Sequence, residues 1–295
     1  LRQTHDYAIF RTEETRELNV ATTPTSIHNM SPQVRVVMLA SKQKAPENRN
    51  YITLFRSLAG ELEVPLDTEA QTCYLKDNLC RRCPRCVLFG AVTTEKRVRG
   101  EERWNIKHRI EYSSGYSLER YEDIYELMTG TAVSDETTST GRALLSTENV
   151  TPIANFPSAI SLNSVTAHEI MLYLKTLLAT KSYGAEGRIK GDVVNHVLGI
   201  AAGYEEIITS LELVLELADL SEPLHSLVGS VEEILKRYAK NAAFPSRVAL
   251  ITGAELEKFI DDVRNYEFTK EDIEKMQRES RSFAERVEKA AAEEE

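Results

Sequence analysis

The order of apolar and polar positions changes along the chain, from short strand-like runs to long helical repeats. Five runs carry the β-branched and apolar side chains that are typical of strands: 7–12, 34–40, 86–92, 106–118 and 153–162. The second of these runs continues directly into Lys42, Lys44 and Pro46, which predicts that the two lysines lie at a strand end. Residues 48–62 have apolar side chains at helical spacing. The first half of the chain is therefore predicted to form an interrupted sheet.

Helical repeats dominate the second half. Thr166, followed three residues later by Glu169, has the pattern of a capping box and predicts the start of a helix. Four more stretches have helical spacing: 204–219, 226–240, 254–264 and 269–292. Residues 129–151 are rich in Thr, Ser, Gly and charge, which predicts a loop or excursion outside the core. Early strands and late helices without regular alternation predict an α+β fold.

Composition limits the class of protein. The chain has 295 residues, 42% of them hydrophobic and 28% charged, which is ordinary for a globular protein and long enough for about two domains. No apolar run approaches the roughly 20 residues of a membrane-spanning helix, and no signal peptide precedes the polar start. All four cysteines are clustered, which argues against a secreted disulfide framework. We therefore expect a cytoplasmic protein.

Charge is distributed unevenly. The net charge is −10, yet residues 73–110 carry ten Lys and Arg against four acids. Residues 253–295 carry eight Lys and Arg against fourteen acids. This asymmetry is typical of a protein with one face that binds a polyanion and one end that faces a neighbour or repels it. The alternative is that both stretches are simply solvated surfaces.

The cysteines form the most specific motif. Cys73, Cys80, Cys83 and Cys86 lie within fourteen residues and contain two overlapping C-x-x-C pairs. This spacing lets a tight turn direct the sulfurs to one centre, which predicts a structural zinc ion held by four thiolates. An iron–sulfur cluster is the first alternative, although Pro84 follows the third cysteine rather than the fourth. A site in which His108 replaces Cys73 is the second alternative.

The basic stretch also contains aromatic side chains. Trp104, the only tryptophan, lies near His108, Arg109, Tyr112 and Tyr116. Aromatic residues interleaved with cations can stack bases and pair with phosphates, as in proteins that hold single-stranded nucleic acid. Each aromatic residue taken alone is better explained as an ordinary sheet residue, and only the set favours binding.

Enzyme motifs are weak. His5 and Asp6 form an HD dipeptide, but no second cluster of His and Asp accompanies it. The stretch from Gly184 to Gly191 lacks the Gly-Lys-Ser/Thr ending of a phosphate-binding loop. A metal-dependent nuclease or phosphohydrolase and a zinc-stabilised assembly protein without an RNA role remain as alternative functions.

Six strings of the sequence resemble a known family of CRISPR-associated proteins. They are residues 11–21 (RTEETRELNVA), 36–46 (VVMLASKQKAP), 80–90 (CRRCPRCVLFG), 106–115 (IKHRIEYSSG), 135–142 (DETTSTGR) and 146–149 (STEN). The chain resembles the large repeating backbone subunit of type I-D effector complexes, a branch of the seventh CRISPR-associated family. The resemblance spans roughly residues 5–200, and it does not account for the acidic C-terminal stretch.

The resemblance implies a modified RRM-like (ferredoxin-like) core with inserted zinc-binding and helical or loop subdomains. The first part of the core is then residues 1–72, the basic zinc-binding insertion 73–105, the remainder of the core 106–200, and the mainly helical part 201–295. It also implies a subunit without cleavage chemistry. Its partners would be single-stranded guide RNA, the target DNA strand, other copies of itself and other subunits of the complex.

Binding that ignores the spacer sequence should depend on cations and stacking. The candidate RNA-binding residues are Lys42, Lys44, Arg81, Arg82, Arg85, Arg97, Arg99, Trp104, Lys107, His108, Arg109, Arg142, Arg188 and Lys190.

Overall fold

The computed structural model describes residues 1–12, 15–74, 78–92, 104–133, 140–184, 189–220 and 227–293, with side chains described except for 130–145 and 227–228. The chain forms two compact units. Unit 1 comprises Leu1–Pro46, Tyr112–Ala159 and Thr180–Ile260, and unit 2 comprises Glu47–Glu111, Ile160–Ala179 and Asp261–Glu295. Among the residues described, no helix is both long and apolar enough to cross a membrane.

Strands and helices are mixed, as the α+β prediction expects. The strands are β1 (Arg2–Thr4), β2 (Val20–Pro24), β3 (Pro32–Met38), β4 (Ile110–Tyr112), β5 (Gly115–Tyr116), β6 (Tyr125–Val133), β7 (Thr140–Val150), β8 (Asn155–Phe156), β9 (Ile160–Leu162), β10 (Val193–Asn195), β11 (Ile200–Ala202) and β12 (Ala249–Ile251). The helices are α1 (Ala40–Glu61), α2 (Thr68–Gln71), α3 (Pro84–Phe89), α4 (Tyr121–Ile124), α5 (Ala167–Ala179), α6 (Ser210–Leu220), α7 (Leu227–Lys240), α8 (Gly253–Asn265) and α9 (Lys270–Glu293).

Unit 1 contains two three-stranded antiparallel sheets, with strand orders β10-β1-β8 and β2-β3-β5. Strands β6 and β7 form a long antiparallel pair, in which Tyr125 lies opposite Val150. The apolar side chains of these strands meet in one core, where the rings of Phe10 and Phe156 pack edge to face at 5.1 Å. A second apolar cluster joins α6 to α7. Unit 1 therefore has two hydrophobic cores, each stabilised by the burial of apolar side chains.

Unit 2 is built around residues 47–61 of α1 together with α3, α5 and α9. The ring of Phe89 packs edge to face on those of Tyr51 and Tyr173, at 5.4 Å and 6.4 Å. The predicted capping box is present at the start of α5: the Thr166 N–H donates to Glu169 Oε2 at 2.9 Å, and the Glu169 N–H donates to Thr166 Oγ1 at 3.3 Å. Capping satisfies donors that the first turn of a helix leaves unpaired.

Helix α9 begins with a second cap of the same kind. Asp272 accepts hydrogen bonds from the Thr269 N–H at 2.8 Å and from the Tyr266 hydroxyl at 3.0 Å, and lies 3.1 Å from His168 Nε2 on α5. Burial by itself would raise the pKa of Asp272, but these hydrogen bonds outweigh it and hold that pKa below its ordinary value of 3.8. The carboxylate therefore stabilises the start of α9 in its charged form.

Four predictions about local structure are wrong. Residues 7–12 do not form a strand, since Ala8 makes only an isolated bridge to Val150. Residues 86–92 do not form a strand, because Pro84 occupies the first position of a helix and the Val87 N–H donates to the Cys83 carbonyl at 3.1 Å. Lys42 and Lys44 do not lie at a strand end, since α1 begins at Ala40 and includes both. Residues 129–151 contain paired strands rather than only a loop. Short apolar runs and polar strands are the cases in which residue pattern discriminates least.

Candidate metal centre and basic surroundings

The four cysteines come together in unit 2. Their sulfur atoms all lie within 4.8 Å of one another. The Sγ of Cys73, which follows α2, is 3.4 Å from the Sγ of Cys86 and 3.8 Å from that of Cys83. Cys83 is the N-cap of α3, and Cys86 lies in its first turn. All four are free thiols, three of them buried and Cys80 half-buried.

A tight turn between Cys80 and Cys83 directs these sulfurs inward. Arg81 adopts a left-handed backbone conformation with φ of 62°, which reverses the chain between the two cysteines. The Cys83 N–H then donates to Cys80 Sγ at 3.2 Å, and the Cys80 N–H donates to Cys73 Sγ at 3.2 Å. Backbone donors aimed at sulfur stabilise negative charge on it, which is the form that binds a metal.

Arg85 brings a cation into the same cluster. Its side chain is buried, with 2% of the residue exposed, and its Nη2 donates to Cys73 Sγ at 2.7 Å. Cys86 Sγ lies 3.8 Å from the same nitrogen. Burial alone would lower the pKa of Arg85, but electrostatic interaction with the nearby sulfurs of Cys86 and Cys73 raises it above its usual value. The guanidinium is therefore positively charged against the sulfurs.

The thiols have strongly divergent pKa values. The pKa of Cys73 lies far below its ordinary value because its sulfur accepts hydrogen bonds from the thiols of Cys80, Cys83 and Cys86. The pKa of Cys83 is raised because its thiol donates to Cys73, and burial raises it further. The pKa values of Cys73 and Cys80 are thus lowered and those of Cys83 and Cys86 are raised, so the protons within the cluster are shared unevenly. A metal ion would replace those shared protons.

The sulfur positions fit a single metal ion. A tetrahedral ion with metal–sulfur bonds of about 2.3 Å holds its sulfurs about 3.8 Å apart, close to the separations observed here. A cluster of four irons and four sulfides needs its cysteine sulfurs farther apart. His108 does not replace Cys73 in the group; its Nε2 lies 3.7 Å from Glu111 Oε1 instead. The four cysteines could therefore bind a metal such as zinc.

Helix α9 packs against the cysteine segment, a contact that the sequence did not predict. Ala284 of α9 joins Val87, Trp104 and Ile106 in one buried apolar cluster, and Phe283 packs against its edge. The charged side of the helix adds an ion pair between Glu288 Oε2 and Arg82 Nη2 at 3.0 Å. The amphipathic pattern at 269–292 was a signal that the helix buries one face, but not of what that face contacts.

Three candidate RNA-binding residues lie in the interior of unit 2. Arg85 faces the sulfurs, while Trp104 is 5% exposed and stacks under the guanidinium of Arg81 at 4.6 Å. Arg109 is 8% exposed and forms a two-pronged ion pair with the buried Glu169. A phosphate cannot reach buried groups in this conformation, so Arg85, Trp104 and Arg109 stabilise the fold here.

The two arginines between Cys80 and Cys83 also have polar partners within the protein. Arg81 Nη1 donates to the Trp104 carbonyl at 2.9 Å. Arg82 pairs with Glu288 and lies 3.8 Å from Glu69, yet 40% of its side chain remains exposed. Arg82 can therefore reach a ligand only in competition with two carboxylates.

The remaining described candidates lie nearer to solvent. Lys107 is 82% exposed and lies 3.4 Å from Glu111, and Lys190 is 63% exposed and lies 2.5 Å from Asp192. Lys42 and Lys44 lie half-buried at the start of α1. Arg97, Arg99 and Arg188 lie outside the described residues, as does the side chain of Arg142.

Within the described residues, the side chains of His5 and Asp6 hydrogen-bond only to residues near them in the sequence. His5 Nε2 lies 3.0 Å from Gln3 Oε1, and Asp6 Oδ1 accepts the Tyr7 N–H at 2.8 Å. Across the described ranges, the four cysteines form the one group of three or more potential metal ligands.

Comparison with solved structures identifies the class of fold. The chain is similar to the crystal structure of Thermofilum pendens Csc2, with a TM-score of 0.65 and 20% sequence identity over 99% of this chain and 87% of that one. It also resembles a chain of a CRISPR RNA-guided surveillance complex in a pre-nicking state, with a TM-score of 0.49 and 10% identity over 95% of this chain and 98% of that one. The second similarity is too weak to support an argument. The α+β fold is therefore Csc2-like.

The sequence identifies the family. The model of the Csc2 CRISPR family matches residues 1–277, so the chain belongs to this family. The resemblance to the backbone-subunit family of type I-D complexes is thereby confirmed. Among curated proteins, no sequence matches the chain.

Proposed function

We propose that the chain is the guide-RNA-binding backbone subunit of a type I-D CRISPR effector complex. Several copies would line up along the spacer and present its bases to the target DNA strand. The subunit would hold RNA without cutting it. Membership of the Csc2 family across residues 1–277 is the observation that carries this proposal.

In this proposal the subunit contacts the sugar-phosphate backbone of the RNA. Phosphate and 2′-hydroxyl contacts carry no sequence information, so they leave the base edges free to pair. The candidates that are half-buried or exposed support this role best: Lys42, Lys44, Lys107, His108 and Lys190. Arg97, Arg99, Arg142 and Arg188 remain candidates from the sequence.

A salt titration tests RNA binding. We expect the affinity for single-stranded RNA to fall steeply with salt and to be equal for two unrelated RNA sequences. Replacing Lys42 and Lys44 by Gln should reduce the salt slope by about 1.4, because each phosphate contact to a single strand contributes about 0.7. Lys236→Gln is the matched control. It also removes a helical lysine, but Lys236 pairs with Glu232 one turn earlier in α7 and is not a candidate RNA contact.

Two results would contradict the proposal at different levels. An affinity that does not depend on salt would exclude the RNA-binding function and favour a zinc-stabilised assembly protein. An unchanged slope in the double lysine variant would exclude only those two contacts.

The assembly has a separate test. If copies bind along the guide, the mass of the complex should rise in steps as the RNA is lengthened, as measured by light scattering after size-exclusion chromatography. A single copy on every RNA length would contradict the backbone role. We also propose that an RRM-like core provides the guide-binding surface.

We further propose that the metal is zinc and that its role is structural. Four cysteine ligands close the coordination shell and leave no position for a substrate. Cys73, Cys80, Cys83 and Cys86 would hold the ion, and the ion would fix the segment that connects α2 to α3. Elemental analysis should find one zinc per chain, and Cys83→Ser should remove it. Iron with a visible charge-transfer band would contradict zinc.

A further inference from the structure

Arg85 differs from the other arginines of the cysteine segment in what it contacts. Arg81 bonds to a carbonyl oxygen, and Arg82 bonds to carboxylates. Arg85 alone among these three directs its guanidinium at the sulfurs, 2.7 Å from Cys73 and 3.8 Å from Cys86. It is also 2% exposed, so water does not screen the interaction.

Charge explains why such a group is needed. Four thiolates around a divalent ion leave two excess negative charges, and burying uncompensated charge is costly. Three ligand thiols, those of Cys73, Cys83 and Cys86, are almost fully buried here. A guanidinium hydrogen-bonded to one of these sulfurs removes half of the excess charge and fixes the position of the sulfur.

We propose that Arg85 is the outer positioning residue of the metal centre, which orients Cys73 and offsets part of the thiolate charge. This inference depends on the proposed metal site. The sequence alone predicts an RNA contact for Arg85, because this arginine lies in a basic stretch. The inference gives Arg85 a role at the metal site instead. Its burial supports this assignment, because a phosphate has no access to the guanidinium.

Metal affinity provides the first test. Arg85→Met retains much of the buried volume but removes the charge and the hydrogen bond. We expect its zinc affinity, measured by competition with a chromophoric chelator, to fall about 10- to 100-fold, as is typical when an outer-shell partner is removed. Arg82→Met removes an equal charge three residues away, and the Arg82 guanidinium bonds to carboxylates rather than to a sulfur, so the affinity of this variant should equal that of the wild type. Equal affinity of Arg85→Met and wild type would overturn the inference.

The spectrum of the cobalt-substituted protein provides a second test. Loss of a hydrogen bond makes a sulfur more electron-rich, so the sulfur-to-cobalt charge-transfer band of Arg85→Met should shift to lower energy while the d–d bands keep their tetrahedral pattern. Fluorescence of Trp104 establishes that each variant is folded. If Arg85→Met does not fold, Arg85→Gln decides: it keeps a polar side chain but removes the charge, and wild-type affinity and spectrum in this variant would overturn the inference.

The wild type separates the two proposals. If wild-type protein binds neither zinc nor cobalt, the metal site itself is wrong and the inference about Arg85 fails with it. If wild-type protein binds metal and the Arg85 variants match it in affinity and spectrum, the metal site stands and only the role of Arg85 is wrong.

Discussion

The buried ion pair between Arg109 and Glu169 should be the most sensitive polar contact in unit 2. Glu169→Gln keeps the size of the side chain but removes its charge. Arg109 would keep the Val87 and Ser164 carbonyls as acceptors, at 3.0 Å and 2.6 Å, and the Phe283 ring 4.6 Å away. Breaking a buried ion pair costs about 3–5 kcal/mol. Because Arg109 keeps these other partners, we expect the loss of unfolding free energy to lie at the lower end of that range, about 3 kcal/mol.

Urea unfolding followed by Trp104 fluorescence measures this loss, because the single tryptophan is buried in the same unit. The glutamine can still accept the Thr166 N–H, so the helix cap survives the substitution. Thr166→Ala is the matched control, and loss of this cap should cost about 1 kcal/mol. The double variant Glu169→Gln with Arg109→Met should recover part of the stability, since no buried charge is left unpaired. A loss in Glu169→Gln no greater than that in Thr166→Ala would refute this reasoning.

Three further predictions concern other parts of the chain. Cys83→Ser should abolish metal binding and accelerate hydrogen exchange throughout unit 2, whereas unchanged exchange there would exclude a structural role for the site. Gly191→Ala should lower the unfolding free energy by more than about 2 kcal/mol in thermal unfolding, since φ is +69° and a Cβ would lie 1.7 Å from a carbonyl oxygen. Gly60 has open space around it, so Gly60→Ala should instead stabilise α1 by roughly 0.5–1 kcal/mol. Equal effects of the two substitutions would contradict both predictions. The pKa of Asp272 in the folded protein lies below its ordinary value of 3.8, so its contribution to stability is complete above about pH 4 and is lost as the pH falls through the folded pKa. Asp272→Asn should remove this part of the acid dependence of urea unfolding. An unchanged pH profile in Asp272→Asn would contradict this role of Asp272.

Features encoded by neighbouring residues were predictable from the sequence. The capping box at Thr166 and Glu169 marks the start of α5, because both partners lie within one turn. The helices predicted at 226–240 and 269–292 agree closely with α7 and α9. The cysteine cluster was predictable for the same reason, since its ligands are spaced along a short segment.

Contacts between distant parts of the chain were not predictable. Arg82 pairs with Glu288 across 206 positions, and Arg109 pairs with Glu169 across 60. No local pattern shows whether an arginine will meet a carboxylate, a sulfur or solvent. The arginines among the cysteines therefore resembled an exposed basic surface, although the structure gives Arg85 a buried sulfur partner. The strand predicted at 86–92 was wrong for a different reason, since an apolar run of this length fits a strand and a short helix equally well.

The discontinuity of unit 2 has a consequence for how the protein is made. Cys86 and its apolar neighbours are synthesised early, but Phe283 and Ala284, which cover Trp104, are added about 200 residues later. At 5–20 residues per second, the ribosome needs roughly 10–40 s to cover that distance. During this interval the nascent thiols are present without the helix that closes over them. The segment around Val87 and Trp104 should therefore reach its native packing only after residues 283 and 284 have been made.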